Sequence, residues 1–301
     1  MSTQTLELIT PNEEISYEEK PSPAQNPVSK KSIHWPASLF IVGIHLASLA
    51  ALFTFSWKAL LLCLVFHWIT GGLGITLGYH RLFTHRSLKV PKILEYFFAL
   101  CGSLACQGGP ITWVTAHRMH HAYSDKEGDP HSPLKGFFWA HMGWCLVSNK
   151  QIESLEVQAR VAPDLVRDPV MVFINNTHIL WTILLAAGLY AWGGWPFVVW
   201  GVFLRTVLVY HCTWLVNSAA HVWGYKTYKA NDESTNCWWV ALLTYGEGWL
   251  NNHHAFQYSA RHGLKWWEFD STYLMIQFLK FFRLAEAVKI PSSRLLAEKS
   301  N

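Results

Sequence analysis

The sequence has few charged residues and no paired cysteine motif. Asp, Glu, Lys and Arg make up 15% of the 301 residues, and the formal net charge is only +4. This mild charge gives no reason to expect a nucleic-acid partner, which would need concentrated positive charge. The six cysteines form no CxxC pair, so we interpret them as small hydrophobic core residues in a reducing environment: Cys63, Cys101, Cys106, Cys145, Cys212 and Cys237.

Cofactor-binding and targeting motifs are also missing from the sequence. No glycine-rich flavin or nicotinamide fingerprint and no CxxCH haem motif occurs, so any reducing equivalents would have to come from another protein. Residues 1–33 are polar, with five glutamates and four prolines, and predict a disordered tail. This stretch has neither the apolar core of a secretory signal nor an Arg-rich transit pattern.

Long apolar runs dominate the remaining sequence, which is 51% hydrophobic overall and contains 17 tryptophans. Four runs are long enough to predict membrane-spanning helices, at about residues 37–57, 59–78, 177–194 and 197–216. Arg205 lies inside the fourth, so we expect it to snorkel, face the bundle interior or pair. Residues 93–106 are apolar but too short to cross and contain Glu95, which favours an interfacial or re-entrant helix.

The polar segments follow the second and fourth spans and are therefore predicted to lie on one side of the membrane. Ten Lys or Arg residues occur between Arg81 and Arg167, and nine more follow Val216. The turn between the first two spans offers only Lys58. The positive-inside rule then places the polar segments in the cytoplasm. The predicted fold is an all-α integral membrane protein with four transmembrane helices, an interfacial or re-entrant helix and a cytoplasmic helical cap.

Eight of the 16 histidines occur in or near polar stretches where an apolar segment ends, and imidazole is a common metal ligand. His117, His120 and His121 have the spacing of one helix face. His80 and His85 are separated by about 140° on an α-helix, which predicts ligands of two different ions or residues that flank a helix end. The adjacent His253 and His254 should diverge. His221 stands alone.

Nitrogen-rich ligation suits iron, copper, zinc or nickel, and the lack of thiolates in the clusters argues against iron–sulfur and zinc-finger sites. Isolated histidines are more often satisfied core or surface residues. We apply that interpretation to His34, His45, His67, His141, His178, His211 and His262.

Six motifs taken together resemble the integral-membrane fatty acid desaturases, and most closely their Δ9 branch, which includes acyl-CoA and bacterial acyl-lipid enzymes. The motifs are GYHRLFTH (78–85), HRMHH (117–121), DPHSP (129–133), NSAAH (217–221), GEGW (246–249) and NNHHAF (251–256). The residues of the last two motifs, GEGW and NNHHAF, are similar to those of cyanobacterial acyl-lipid enzymes. This similarity favours a lipid-bound substrate over a CoA thioester. The resemblance covers roughly residues 32–283.

The resemblance implies a di-iron centre in which reduced irons activate O2 and two hydrogens are removed from an acyl chain. Electrons would come from ferredoxin or cytochrome b5. The implied ligands are His80, His85, His117, His120, His121, His221, His253 and His254, with Asn217 contacting one metal through water. The acids Asp125, Asp129 and Glu247 are candidates to hold imidazole tautomers, or else have ordinary capping and ion-pair roles.

Position 250 departs from the family pattern, whose third motif reads His-x-x-His-His and implies nine histidine ligands. Leu250 occupies the first position and has no lone pair to donate. Three explanations remain open. Water, Asn252 or Glu247 fills the position, or the protein is impaired or repurposed and binds one metal well, or the leucine is a single-base error in the recorded sequence.

The resemblance also sets the predicted domain limits and leaves other functions open. A desaturase domain is expected over residues 34–283, followed by a C-terminal tail at 284–301, in the plasma or thylakoid membrane. A related hydroxylase or acetylenase, and a desaturase of acyl thioesters, would use the same motifs. A membrane haem protein, a metal transporter and a non-catalytic metal-binding homologue are the alternatives from other classes.

Overall fold

The computed structural model describes residues 32–300, and these residues are helical with a few isolated β-bridges and no strand. The tail predicted for residues 1–33 lies outside the described residues, apart from its last two. The α-helices are α1 Trp35–Ser48, α2 Trp57–His67, α3 Lys92–Ser103, α4 Pro110–Tyr123, α5 Phe137–His141, α6 Lys150–Glu153, α7 Leu155–Val161, α8 Pro163–Val166, α9 Pro169–Asn176, α10 His178–Val198, α11 Arg205–Ser218, α12 Trp238–Leu243, α13 Leu250–Ala255, α14 Ser271–Phe281 and α15 Ser293–Glu298.

Segments of 3₁₀- and π-helix extend several of these helices. Two π-helical segments, Trp68–Thr84 and Val199–Leu204, continue α2 and α10. The 3₁₀ segments are Leu49–Phe53, Pro133–Lys135, Gly143–Leu146 and Ala219–His221.

Three continuous helical segments of the described chain are long and apolar enough to cross a membrane. They are Trp35–Phe53, Trp57–Thr84 and His178–His221. The third has 44 residues, about 66 Å at the usual helical rise, and is broken at Gly194, whose φ of 69° is not helical. Pro196 follows and cannot donate an amide hydrogen bond. The predicted third and fourth spans are therefore consecutive helices of one segment, separated by a kink.

The hairpin of α3 and α4 brings the HRMHH motif to the other histidines. With 12 residues α3 is about 18 Å long, shorter than the roughly 30 Å of hydrocarbon in a bilayer. The turn between α3 and α4 is anchored to α11: Arg205 donates to the Leu104 carbonyl and Tyr210 to the Cys106 carbonyl. The fully buried Arg205 thus faces the bundle interior, one of the placements that the sequence allows.

The crossing of α3 over the π-helical segment is close enough to require glycine. A Cβ on Gly74 would lie 2.5 Å from the backbone carbon of Cys101, and one on Gly102 would overlap the Tyr79 ring. The main hydrophobic core lies around this crossing, with Phe98 and Ala99 of α3 packed beside Leu77. The first histidine motif begins within this crossing, at Gly78 and Tyr79, so the core fixes where His80 emerges.

We expect Gly74→Ala to destabilise the protein by about 1–3 kcal/mol, because the added methyl must push α3 away from the π-helical segment. Thermal unfolding in detergent would show a lower midpoint temperature. Gly43→Ala is the matched control, since a Cβ at Gly43 in α1 meets nothing within 4 Å. That variant should be neutral or slightly stabilising, because alanine favours helix over glycine. Equal losses in both variants would show that the close crossing is not the cause.

Residues 284–300, separated as a C-terminal tail in the sequence analysis, fold back onto the body. Ala285 is buried in the main core, and Glu286 exchanges backbone hydrogen bonds with Lys89. Near the end of the chain, Lys299 donates to the carbonyl of Ala255, which ends the helix that carries His253 and His254. The C-terminal segment therefore stabilises the chain just after His85 and the end of the helix that carries His253 and His254.

Candidate metal centre

Five histidines from three segments of the chain converge on one volume. His80, His85, His117, His121 and His253 each place a ring nitrogen within 4.8 Å of the others. The separation of about 140° expected between His80 and His85 is wrong, because this segment is π-helical. The amide of His85 bonds to the carbonyl of His80, and this i→i+5 pattern stacks residues five apart. Their ring centroids are 4.8 Å apart.

The Nε2 atoms of this five-histidine set form a chain of short contacts. His253 Nε2 lies 3.1 Å from His80 Nε2 and 3.0 Å from His121 Nε2, which is itself 3.0 Å from His117 Nε2. Metal–nitrogen bonds of about 2.1 Å meeting at right angles would set neighbouring nitrogens about 3 Å apart. His85 Nε2 is buried and has no hydrogen-bond partner. A metal ion is the group that these converging lone pairs fit.

The other three clustered histidines form a second, looser set. The ring centroid of His254 lies 5.3 Å from that of His120 and 6.3 Å from that of His221. Both ring nitrogens of His221 and the Nε2 of His254 are buried without a hydrogen-bond partner. Orphaned imidazole nitrogens fit a metal ion here as well. The spacing of His117, His120 and His121 on one helix face does not bring all three into one set, because His120 joins the second.

Leu250 belongs to the neighbourhood of the second set. Its side chain is buried against Ala219 and Ala220, which directly precede His221, and against Cys237 and Val240. An apolar side chain therefore lies where the resemblance implies a ligand. The first set brings five histidines together, whereas the second set, beside Leu250, has three.

Neither of the two side chains considered as substitutes for the missing ligand is available. The Asn252 amide donates to the His262 carbonyl and Glu268 and accepts from Asn236. Glu247 lies at the five-histidine set, where its Oε1 accepts from Arg81. Of the three candidates to replace the missing ligand, Asn252 and Glu247 are therefore engaged elsewhere, and water remains.

Carboxylates hold the Nδ1 atoms of three clustered histidines, which leaves each Nε2 free for a metal. Glu247 Oε2 lies 2.6 Å from His80 Nδ1, and Asp129 Oδ1 accepts from His120 Nδ1 at 3.0 Å. These contacts confirm two of the three predicted acids. The third, Asp125, instead accepts from the backbone amide of Glu233. A fourth carboxylate, Asp232, accepts from His254 Nδ1, and its sequence context gave no signal because it is a lone aspartate in a loop.

The electrostatics of the site favour neutral imidazoles and charged carboxylates. Burial and the neighbouring His80 lower the pKa of His117, and burial and His262 lower that of His253. Burial alone would raise the pKa of the Glu247 carboxyl, but His80 and Arg81 hold it well below its usual range. Neutral nitrogens are the form that binds metal, and anionic carboxylates balance the charge of a bound cation.

His262 is part of the site, although the sequence analysis interpreted it as an isolated histidine. Its Nδ1 lies 3.1 Å from Glu247 Oε2, and its ring centroid lies 4.5 Å from that of His253. His131 of the DPHSP motif likewise lies beside His120, with ring centroids 4.2 Å apart. No spacing links His262 to the other motifs, so only the folded chain reveals its place.

A cavity of about 680 Å³ runs from the histidines into the helix bundle. His80, His117 and His131 line it at the histidine sets, and Asn217 lines it one helical turn before His221. Its remaining wall includes apolar and aromatic side chains from α1, the π-helical segment, α4 and α11, among them Phe40, Ile41, Ile75, Trp113 and Val209. This volume lies within the range of about 300–1,000 Å³ typical of small-molecule sites.

We expect Glu247→Gln to weaken metal binding at the five-histidine set about 10- to 100-fold, the usual effect of losing a carboxylate behind a histidine ligand. The amide cannot provide the negative charge that faces His80 and Arg81. Competition with a chelator of known affinity would measure the loss. Asp125→Asn is the control, because Asp125 contacts a backbone amide and no clustered histidine. Unchanged affinity in Glu247→Gln would exclude this supporting role.

Comparison with known proteins gives matches over most of the chain. The family model described as fatty acid desaturase matches residues 25–285. A sn-1 stearoyl-lipid 9-desaturase of Anabaena variabilis is 54% identical, covering 88% of this chain and 97% of that protein. A protein of the same description from a Synechocystis species is 51% identical, over 88% of this chain and 83% of its own length. An acyl-CoA C20 Delta5-desaturase of Anemone leveillei is 48% identical, over 84% of this chain and 81% of that protein.

Proposed function

The chain belongs to the fatty acid desaturase family, and we propose that it inserts a cis double bond at the Δ9 position of a saturated acyl chain esterified in a glycerolipid. The observation that carries this proposal is an apolar cavity that begins at the histidine sets and extends between helices long enough to cross a membrane. The relatives at 54% and 51% identity are described as stearoyl-lipid 9-desaturases, which supports both the position and the lipid carrier.

The residues of this chain position the substrate by shape. A saturated acyl chain has no polar group near its middle, so an apolar wall such as Phe40, Ile75 and Val209 must set which methylene pair reaches the histidines. Trp113 lies at that point, with its ring stacked on His117 at a centroid distance of 4.9 Å. Filling the cavity with hydrocarbon also excludes water, which protects the site from side reactions.

Two irons are the metals that we propose for the centre, and when bound and reduced they supply the activation of O2. The five-histidine set would hold one iron. His120, His221 and His254 would hold the other, with Asn217 contacting it through water. Because Leu250 removes one ligand, we propose that the second set binds iron weakly and that this limits turnover in the native chain.

The proposed placement in the membrane follows the apolar segments. Trp35–Phe53 and Trp57–Thr84 would each cross once, and the kink at Gly194 would let His178–His221 cross twice, which gives four crossings. All the clustered histidines would then lie on the cytoplasmic side, in a plasma or thylakoid membrane. The desaturase domain would span residues 34–283. Ferredoxin or cytochrome b5 would deliver electrons from the side of the membrane on which the clustered histidines lie.

Lipid profiling in a host that lacks unsaturated fatty acids tests this function. We expect expression of the chain to produce lipids with a cis double bond at carbon 9, at a low level that rises with Leu250→His. Selective hydrolysis of the glycerolipids would show whether the unsaturated chain is esterified at sn-1. Hydroxylated or acetylenic products would contradict desaturation, and unsaturation confined to the acyl-CoA pool would contradict the lipid carrier.

A further inference from the structure

Three histidines outside the candidate metal centre form a continuous chain of side-chain contacts. His45 of α1 and His211 of α11 face each other through their Nε2 atoms at 3.2 Å. The other nitrogen of His211, Nδ1, lies 3.0 Å from Nε2 of His141 in α5. All three rings pack around Trp214, with centroid distances between 5.3 and 6.4 Å. The sequence analysis treated each of them as isolated.

Hydrogen positions along this chain follow from its first contact. His45 Nδ1 lies 2.6 Å from the carbonyl oxygen of Ile41, which can only accept, so the proton of neutral His45 is on Nδ1. His45 Nε2 is then an acceptor, and His211 must donate to it from Nε2. His211 Nδ1 is consequently an acceptor, and His141 must donate to it from Nε2. One carbonyl therefore sets the tautomers of all three rings.

The last contact in the chain accommodates one additional proton. His141 Nδ1 lies 2.9 Å from the Ser218 hydroxyl, and that hydroxyl also lies 2.8 Å from the Trp214 carbonyl. When His141 is neutral, the single Ser218 proton can serve only one of these two acceptors. When His141 carries a second proton, His141 donates to Ser218 and Ser218 donates to Trp214. Both contacts are then satisfied.

We propose that His45, His211 and His141 form a proton reservoir that shares one added proton and exchanges it only at the Ser218 end. The far end is closed, because the Ile41 carbonyl cannot take a proton from His45. A proton that enters at His141 Nδ1 can pass to His211 and then to His45 through the two short nitrogen contacts. It must return by the same route.

A metal ion does not explain this arrangement, because His211 uses one ring nitrogen toward His45 and the other toward His141. A single ion cannot bind all three rings through these contacts. Burial and the nearby His211 lower the pKa of His141, so the added proton is held weakly and is easily given up. Other titratable groups in the cluster around Trp214 are Cys106, Cys145 and Tyr210, whose hydroxyl donates to the Cys106 carbonyl.

The reservoir opens beside the cavity, where the reaction would use protons. Trp214 and Asn217 both line the cavity, and Ser218 follows Asn217 at the end of α11. If the proposed desaturation holds, each turnover converts RCH2–CH2R, O2, two electrons and two protons into RCH=CHR and two waters. The electrons come from the external carrier. One of the two protons would enter from solvent at His141 during turnover, and the three rings would hold it until the reaction takes it up.

Nitrogen-15 NMR of histidine-labelled protein in lipid nanodiscs tests the reservoir without relying on desaturase activity. At neutral pH we expect His45 to carry its proton on Nδ1, and His211 and His141 to carry theirs on Nε2. Single His→Gln variants would assign the signals. On acidification the three rings should take up one proton as a unit. Other tautomers, or three independent protonations, would overturn the proposal.

The role in turnover is tested with His211→Gln, since a glutamine amide can contact both neighbours but does not relay a proton as imidazole does. We expect turnover to fall about tenfold or more, with a larger solvent deuterium isotope effect and unchanged iron content and melting temperature. The comparison would be made in the native and Leu250→His backgrounds. A lower melting temperature with an unchanged isotope effect would mean that the histidines serve only to stabilise the packing of α1, α5 and α11. Absence of desaturation in both backgrounds would refute the proposed function, and the NMR result would still decide the reservoir.

Discussion

Replacing Leu250 with histidine is expected to raise bound iron from about one to about two per chain and to increase turnover at least tenfold. The substituted ring would start from a position packed against Ala219 and Ala220, next to His221, where the second set has only three histidines. A carboxylate behind a ligand is worth 10- to 100-fold in metal affinity, and a ligand itself should be worth at least as much. Elemental analysis of purified protein and a lipid-based turnover assay would measure both effects.

Leu250→Met is the matched control for this substitution. Methionine keeps the apolar volume that packs against Val240 and Cys237 but presents a thioether, which is a poor ligand for Fe²⁺. We expect it to leave iron content and stability near native values. If Leu250→Met raised iron content as much as Leu250→His, the gain would have to come from a change in packing.

Replacing His253 with alanine is expected to abolish turnover, with a loss of more than about a thousandfold, and to remove the tightly bound iron. His253 Nε2 is in short contact with both His80 Nε2 and His121 Nε2, so it is the central member of the five-histidine set. Iron content and turnover, measured in protein that still elutes as a single species, would show the effect.

Arg294→Ala is a suitable control for expression and handling, because the Arg294 side chain is 88% exposed and pairs with Glu298 one turn away. It should retain native iron and turnover. His253→Ala with native iron content would contradict the assignment of the five-histidine set, whatever its activity.

The sequence motifs did not predict how the eight clustered histidines divide. The motifs selected all eight, and the structure places each in one of the two sets. The division could not be predicted from α-helical periodicity, because His80 and His85 lie at the end of a π-helical segment. The HRMHH motif also divides, with His120 turned to the second set while its neighbour His121 belongs to the first.

Local patterns likewise explain which parts of the fold were predictable. The apolar runs gave the long helices to within a few residues at most of their ends. The short run at residues 93–106 was predicted to form a helix too short to cross, and the helix found there, α3, has 12 residues. Contacts between distant residues gave no signal in the sequence. His262 at Glu247, Asp232 at His254 and the chain from His45 to His141 all depend on the folded arrangement.

Leu250 shows how the sequence and the structure complement each other. The sequence indicated that one ligand is missing, and the structure assigns the loss to the second set and leaves Asn252 and Glu247 engaged elsewhere. We therefore propose a centre with one complete and one incomplete metal site. This proposed asymmetry is the central claim about how the chain departs from the family pattern.

Iron stoichiometry of the purified native chain, compared with Leu250→His under the same loading conditions, tests that claim most directly. We predict about one tightly held iron per native chain and about two in the variant after dialysis against a weak chelator. Two tightly held irons in the native chain, with no change on substitution, would contradict the account.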